Sequence, residues 1–403
     1  MLRKKILVLA STFPRWANDT TPPFVLELEK RLTNDFDIFL LAPHFPGAKK
    51  NECMDNINVR RFQYFWPATF QKLCYGGGIL PNLKKNKWLL VQAVTLIFFE
   101  ILAAINLVRK KNIELIHAHW LIPQGIIALI LKKMFQIPYI VTVHGGDIFG
   151  LQNNFLNSIK KSILKNADKI TVVSTAIKKE IHIIDPNLDV YVVSMGVDAN
   201  LFNTNKFDKS IKTKFTIHGP FLLFVGRLAE KKGVKYLLRA MPDIIKAFPK
   251  TILLIIGEGT IKIDLEKLTN VLGIRKNVFF VGGIPNAQLP NYYATADIFI
   301  GPSIQTKDGD TEGLGLTFVE ASFSGAIPIG TVVGGISDVI KNNKTGFLVP
   351  QKSSYDIAET VIKVLKNPER MSQVKSNARA YVYKKFDWET VTTKYKKFYE
   401  SCI

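Results

Sequence analysis

The sequence predicts an α/β protein made of two doubly wound domains, each a parallel sheet with helices on both faces. Three observations carry this. The chain has 403 residues, more than one ordinary core accommodates. Short apolar runs rich in β-branched residues alternate with helical patterns along its length, as expected for strands buried on both faces. These runs form two series, separated by the Asn- and Asp-rich stretch SMGVDANLFNTNKFDKS at 194–210.

The first series is KILVLAS at 5–11, FDIFLLAP at 36–43, IELIHAH at 113–119, YIVTVHG at 139–145, KITVVS at 169–174 and DVYVVS at 189–194. The N-terminal apolar run follows basic residues but is too short for a signal-peptide core, so it reads as the first strand. The second series is FLLFVG at 221–226, TILLIIG at 251–257, NVFFVGG at 277–283, DIFIGPS at 297–303 and IPIGT at 327–331. The segment from 386, FDWETVTTKYKKFYESCI, reads as a closing amphipathic helix. The predicted division is 1–198, 199–385 and the helix 386–403.

Composition narrows the class. Apolar residues make up 47% and charged residues 22%, which suits a globular chain. Three dispersed cysteines form no disulfide framework or zinc motif and point to a reducing, cytoplasmic setting. The formal net charge of +21 is spread evenly, +11 over residues 1–195 and +10 over the rest. It favours polyanionic partners in general, although lysine, the commoner cation, is a poor reader of base edges. No nucleic-acid signature accompanies it, and nucleic acid is not an expected partner.

WLLVQAVTLIFFEILAAINLV at 88–108 has the length and basic flanks of a membrane span. Glu100 near its middle would cost about 3 kcal/mol in hydrocarbon, so the stretch reads as a buried crossover helix. Residues 45–111 carry 11 basic and 3 acidic residues, interleaved with aromatics such as Trp66, Phe70 and Trp88. That combination suits peripheral contact with an anionic membrane surface at the inner face.

The chemistry lies after the strands, where open α/β sheets bind ligands. In FLLFVGRLAEKKG at 221–233, Arg227 and Lys232 occupy a strand-to-helix turn, placed to clamp a phosphate. In DGDTEGLGLTFVEASFSG at 308–325, Gly313 and Gly315 allow a tight turn, and a helix from about Gly315 would aim its first amides at an anion. Glu312 and Glu320 stand eight positions apart, about 12 Å if the segment were wholly helical. Carboxylates accept hydrogen bonds from sugar diols. The pair therefore suits two sugars flanking one diphosphate, Glu320 on one and Glu312 on the other. His119 and His144 follow strands of the first series, with Asp147 nearby. The Asp308–Asp310 pair could hold a divalent cation, but basic side chains already neutralise the phosphates, and no metal is expected.

With these residues in place, the chain resembles a retaining family 4 glycosyltransferase. The pieces that carry the likeness are VHGGD (143–147), GRLAEKKG (226–233), ADIFIGPS (296–303), EGLGLTFVEASFSGAIPI (312–329), GGISDVI (334–340) and TGFLVP (345–350). The resemblance implies the GT-B fold: two Rossmann-like domains facing across a cleft, the N-terminal one for the acceptor and the C-terminal one for the donor. It also implies a C-terminal helix that returns to the N-terminal domain. The co-substrate would be a nucleoside-diphosphate sugar, with no cofactor and no metal. Catalysis would involve His119, His144, Arg227, Lys232 and Glu312. Donor contacts would come from Arg227, Lys232, Gly283, Ile284, Glu312, Gly313, Leu314, Gly315, Leu316 and Glu320, with Glu320 on the ribose and Gly283 and Ile284 at the base. Phe13, Arg15, Asp19, Trp120 and Asp147 would face the acceptor, a glycan or lipid-linked glycan. The segment STFPRWANDTTPPFV after the first strand departs from the family by lacking glycine, which points to unusual acceptor recognition. Two other readings stay open: a nucleotide-sugar epimerase of the same fold, and a basic, non-catalytic binding protein.

Overall fold

The structure is a computed structural model that describes residues 3–149, except 18, 20 and 22, and residues 154–403. The chain divides into two compact units: Met1–Met195 together with Val391–Ile403, and Gly196–Thr390.

The first unit runs β1 (Lys4–Leu9), α1 (Phe24–Leu32), β2 (Phe36–Pro43), β3 (Asn51–Met54), β4 (Ile57–Phe62), α2 (Ile79–Lys85), α3 (Leu89–Lys111) and β5 (Leu115–His119). It continues with α4 (Ile126–Phe135), β6 (Tyr139–Val143), α5 (Gly146–Phe149), α6 (Asn154–Asn166), β7 (Lys169–Val172), α7 (Thr175–Ile184) and β8 (Val190–Val192). Its eight-stranded sheet has the order β3-β4-β2-β1-β5-β6-β7-β8. Pairing is parallel except between β3 and β4. The central strands are buried along their length, as their unbroken apolar runs require; β5 and β6 expose none of their residues.

The second unit contains α8 (Lys209–Lys214), β9 (Phe221–Val225), α9 (Val234–Ala247), β10 (Ile252–Ile256), α10 (Lys262–Val271), β11 (Val278–Gly282), α11 (Leu289–Thr295) and β12 (Ile298–Gly301). Then come α12 (Leu316–Ser324), β13 (Ile327–Thr331), α13 (Ile336–Val339), β14 (Phe347–Val349), α14 (Ser354–Leu365) and α15 (Pro368–Phe386). Six parallel strands lie in the order β11-β10-β9-β12-β13-β14. Counted within the unit this is 3-2-1-4-5-6, the doubly wound Rossmann order. The direction of winding reverses between β9 and β12, so the loops after those two strands flank the crevice where such sheets bind ligands. Local chemistry fixes several helix starts. Ser174 and Ser353 cap α7 and α14 with their hydroxyls, and Asn367 caps α15 just before Pro368.

The last helix, α16 (Trp388–Cys402), contributes residues 391–403 to the first unit. Tyr395 and Tyr399 are fully buried there among polar groups. The Tyr399 hydroxyl donates to both oxygens of Glu29 at 3.1 and 3.2 Å and lies 2.6 Å from His117 Nδ1. His117 Nε2 lies 2.7 Å from the Thr142 hydroxyl, which in turn meets Thr171 at 2.6 Å. Buried polar groups are costly unless paired, and this network pairs them through the C-terminal helix.

Two expectations are corrected. The hairpin β3–β4 and the strand β14 are absent from the predicted series. β3 is the edge strand and β4 lies next to it, both with exposed positions between covered ones, and β14 has three residues, so none reads as a continuous apolar run. The stretch at 88–108 is a crossover helix, α3, but only one of its faces is buried. Gln92, Leu96, Glu100 and Ala104 face inward, while Leu90, Val94, Phe98 and Leu102 are exposed. The Glu100 carboxyl sits 3.3 Å from the Gln124 amide, and burial pushes its pKa up to about 8, so the one acid of this helix is protonated at neutrality.

Candidate active site

The second unit gathers a charged cluster at the carboxyl ends of β9 and β12. The chain leaves β9 through Gly226 and Arg227, makes one tight turn over Glu230–Lys232, and enters α9 from Gly233. Gly233 has φ 63°, and a Cβ there would lie 1.9 Å from the Pro302 carbonyl, so only glycine lets this turn seat against the chain leaving β12. The Ile304 amide donates to the Lys231 carbonyl at 2.7 Å, which joins the two loops.

Across that junction the side chains pair. Lys232 Nζ donates to Glu312 Oε2 at 2.5 Å, with both groups mostly buried. Lys231 Nζ donates to Asp310 at 3.0 Å and to the Thr311 carbonyl at 3.2 Å. Burial alone would raise the Glu312 pKa. The charges of Lys232, Lys231 and Arg227 outweigh it and hold this carboxyl below its usual range, so Glu312 is ionised. The backbone of Glu312 is clamped as well. Its carbonyl accepts from the Gly335 amide at 3.1 Å, and a Cβ on Gly334 would lie 1.9 Å from the same oxygen.

Glu320, on α12, lies in a different environment. The Tyr293 hydroxyl donates to it at 2.8 Å, and Tyr293 itself is fully buried. Burial pushes the Glu320 pKa up to about 7, against the opposing effects of Tyr293 and Lys232. Lys232 therefore acts on both glutamates. Helix α12 starts after Gly315, which has φ 89°, and its first turn presents the amides of Leu316 and Thr317, which have no partner within a helix. The assumption of a wholly helical path between the glutamates is corrected: residues 312–315 precede the helix. Gly283 and Ile284 follow β11 and are exposed and half-buried, at the same carboxyl edge of the sheet.

The raised pKa of Glu320 gives a testable sign. A carboxyl that is protonated more readily when folded adds stability at low pH, and that stability is lost as pH rises from the ordinary 4.5 through about 7. Melting temperature should therefore fall with rising pH across this window, and Glu320→Gln should flatten the fall. Equal slopes in wild type and variant would show that Glu320 does not titrate there.

In the first unit His119 ends β5 and His144 follows β6, their Nδ1 and Nε2 atoms 3.0 Å apart. His119 is fully buried and His144 half-buried. Burial, followed by the neighbouring histidine His117, pushes the His119 pKa down to about 4. His144 is held well below its usual value by burial and by His119 and His117, so both rings are neutral. Glu29 Oε1 lies 3.5 Å from His119 Nε2 and favours the proton on that nitrogen. His119 Nδ1 is then the acceptor, His144 donates from Nε2, and His144 Nδ1 keeps its lone pair. His119, one of the residues expected in catalysis, has a fully enclosed ring that meets His144.

The residues expected on the acceptor side face inward to different degrees. Phe13 is fully buried in the core. Asp19 is bound by Arg15 through the Arg15 amide at 2.9 Å and the guanidinium at 2.9 and 2.6 Å. Despite the opposing effect of burial, the Arg15 bonds hold its carboxyl well below the usual range. The Arg15 guanidinium also lies over Trp16 and Phe45 at 4.5 and 4.6 Å. Both oxygens of Asp147 are taken by backbone amides, those of Leu121 at 2.7 Å and Gly145 at 2.9 Å. Phe13, Asp19 and Asp147 thus shape the loops and offer no open face. Trp120 is half-buried, has φ 81°, and packs its ring 4.8 Å from that of His144. Glu29, His117, Lys231, Tyr293 and the Gly334–Gly335 clamp received no role from the sequence.

Glu29, His117 and His119 bring potential ligand atoms within 4.8 Å of one another. The partners described above already engage both His117 nitrogens and the Glu29 carboxylate, so these donors serve a hydrogen-bond network. Of the paired aspartates after β12, Asp310 is occupied by Lys231.

The fold has close counterparts. Sucrose-phosphate synthase from Thermosynechococcus elongatus superposes with a TM-score of 0.82 at 20% identity, over 99% of each chain. Anabaena HepE in complex with UDP superposes with a TM-score of 0.77 at 16% identity, over 99% of this chain and 100% of that one. The architecture is therefore that of the GT-B glycosyltransferases. Residues 23–201 match Glycosyltransferase Family 4 and residues 206–381 match Glycosyl transferases group 1. Among curated relatives, the N-acetyl-alpha-D-glucosaminyl L-malate synthase of Bacillus anthracis is 27% identical over 303 residues, covering 72% of this chain and 75% of that protein. The GDP-mannose-dependent alpha-(1-6)-phosphatidylinositol monomannoside mannosyltransferase of Mycobacterium tuberculosis is 26% identical over 297 residues, 73% and 77% of the two chains. The chain belongs to the family 4, group 1 glycosyltransferases and is a glycosyltransferase.

Proposed function

We propose that the protein transfers a hexose-type sugar from a nucleoside-diphosphate sugar to a hydroxyl of a saccharide or lipid-linked saccharide, with retention at the anomeric carbon and without a metal ion. The observation that carries this reading is the Lys232–Glu312 pair, set with Arg227 and Lys231 at the start of α12. The difficult event is departure of the nucleoside diphosphate. Arg227, Lys232 and the first amides of α12 are placed to stabilise the charge that develops on it. Glu320, with its raised pKa and its Tyr293 partner, binds the ribose diol, and Gly283 and Ile284 meet the base. Glu312, kept ionised by the surrounding cations, accepts from hydroxyls of the transferred sugar. The acceptor hydroxyl attacks from the face the diphosphate leaves, and the departing phosphate takes its proton. In the first unit, the lone pair on His144 Nδ1 orients a substrate hydroxyl. Relatives lend support: one mannosyltransferase is GDP-mannose-dependent, and HepE has been solved with UDP-glucose.

A panel of nucleotide sugars, screened for thermal stabilisation in the presence of EDTA, tests this. At least one UDP- or GDP-hexose should raise the melting temperature, and Arg227→Ala should abolish the shift. Stabilisation that requires added magnesium or manganese, or none by any nucleotide sugar, would overturn the proposal. Release of a rearranged sugar without any acceptor would point instead to the epimerase reading.

A further inference from the structure

The structure leaves one large apolar surface in the first unit without a protein partner among the described residues. On α3, Leu90, Val94, Phe98 and Leu102 are exposed at four-residue spacing, Val94 by 70% and Phe98 by 55%. They form a stripe about 18 Å long. The opposite face of the same helix is the one packed into the unit. Aromatic residues extend it. Trp88, just before the helix, is 84% exposed, and Trp66 packs its ring 4.8 Å from that of Phe99. Gln92 donates to the Phe70 carbonyl at 2.7 Å and accepts from the Lys72 amide at 3.2 Å, which holds exposed Phe70 beside the helix.

Charge identifies the occupant. Lys84, Lys85 and Lys87 are exposed before the stripe, and Arg109, Lys110 and Lys111 are exposed after it. Between residues 72 and 111 seven cations face a single acid, Glu100, which is buried and protonated at neutrality. Apolar side chains between two groups of cations, with no exposed acid, match an anionic bilayer surface: the side chains enter the acyl boundary and the cations meet the headgroups. A nucleic acid would pair with the cations and could stack on the aromatic rings, but it has no use for the exposed Leu90, Val94 and Leu102 between them, which offer no plane for bases. A membrane span is excluded by the packing of the Gln92–Glu100–Ala104 face into the unit.

We propose that the α3 face, with Trp66, Phe70 and Trp88, docks the protein peripherally on anionic lipid, with α3 lying along the membrane surface. This docking is independent of the sugar-transfer reaction. Flotation with vesicles of phosphatidylcholine and phosphatidylglycerol tests it, using the full chain. Wild type should co-float at low salt and bind phosphatidylcholine alone far less. Val94→Glu with Phe98→Glu should weaken partitioning at least about tenfold while leaving the melting temperature and the nucleotide-sugar shift unchanged. Lys84→Ala, Lys85→Ala and Lys87→Ala together should weaken it about a hundredfold, at about fivefold per lysine. Any of three results would overturn the proposal: wild type failing to float, the stripe variant floating like wild type, or light scattering showing that the stripe variant dissociates a wild-type dimer. Displacement of wild type from vesicles by an oligonucleotide, with the stripe variant binding that oligonucleotide equally well, would assign the surface to nucleic acid instead.

Discussion

Lys232→Ala is expected to lower kcat by about a hundred- to a thousandfold, the usual cost of removing one preorganised group that stabilises charge in a transition state. Lys232 lies in the turn after β9, within 2.5 Å of Glu312, where the β9 and β12 loops meet at the reversal of the sheet. The negative charge of a departing diphosphate grows as the glycosidic bond breaks, so the loss should fall on kcat more than on KM. The substitution also leaves Glu312 with less compensation for its burial, and its pKa should rise. The double variant Lys232→Ala, Glu312→Gln separates the two effects: it should recover the melting temperature and not the activity. Steady-state kinetics with the donor found in the panel, together with melting curves, decides. A Lys232→Ala enzyme with kcat within a factor of about three of wild type would remove the lysine from the mechanism.

The second large effect concerns stability. Tyr399→Phe removes one hydroxyl that donates to Glu29 and meets His117, leaving an ionised carboxylate and an imidazole buried without that partner. An unpaired buried polar group costs about 1–3 kcal/mol, and more when charged. For a unit of this size that corresponds to a melting temperature lower by about 5–10 °C in the transition that involves the first unit. Tyr399→Ala should cost more, because it also opens a cavity next to Phe36, whose ring lies 5.3 Å away. Calorimetry resolves the transitions of the two units, and hydrogen exchange in β5 and β6 assigns the affected one. A Tyr399→Phe protein that melts within a degree of wild type would mean that Glu29 and His117 find other partners.

Strands buried on both faces were legible because they need continuous apolar runs, and Phe36–Pro43 and Ile327–Thr331 lie where those runs lie. The β3–β4 hairpin was not legible, because an edge strand with one wet face carries polar residues such as Asn51 and Glu52. The glycines at 233 and 315 marked helix starts correctly, since both adopt positive φ at a strand-to-helix turn. Local spacing also singled out Arg227, Lys232, Glu312 and Glu320; the first three lie on two loops at one sheet edge and Glu320 on α12 beside them. The buried network was out of reach. Glu29 looks like an ordinary helix-surface acid in FVLELEKRL, and its partner Tyr399 comes 370 residues later. Phe13 and Asp19 illustrate the converse: a loop after a strand suggests ligand contact, yet these side chains hold the loop itself. The α3 helix carried an ambiguous signal because its two faces are both apolar, one for the core and one for its surroundings.

A crystal structure with the nucleotide sugar from the panel bound tests most directly how the second unit receives a diphosphate. The predicted result has Arg227 and Lys232 within hydrogen-bond reach of the diphosphate oxygens, the first amides of α12 on the same group, and Glu320 and Glu312 on hydroxyls of the two sugars at its ends. A diphosphate bound elsewhere, or one reached through a cation held by Asp308 and Asp310, would contradict it.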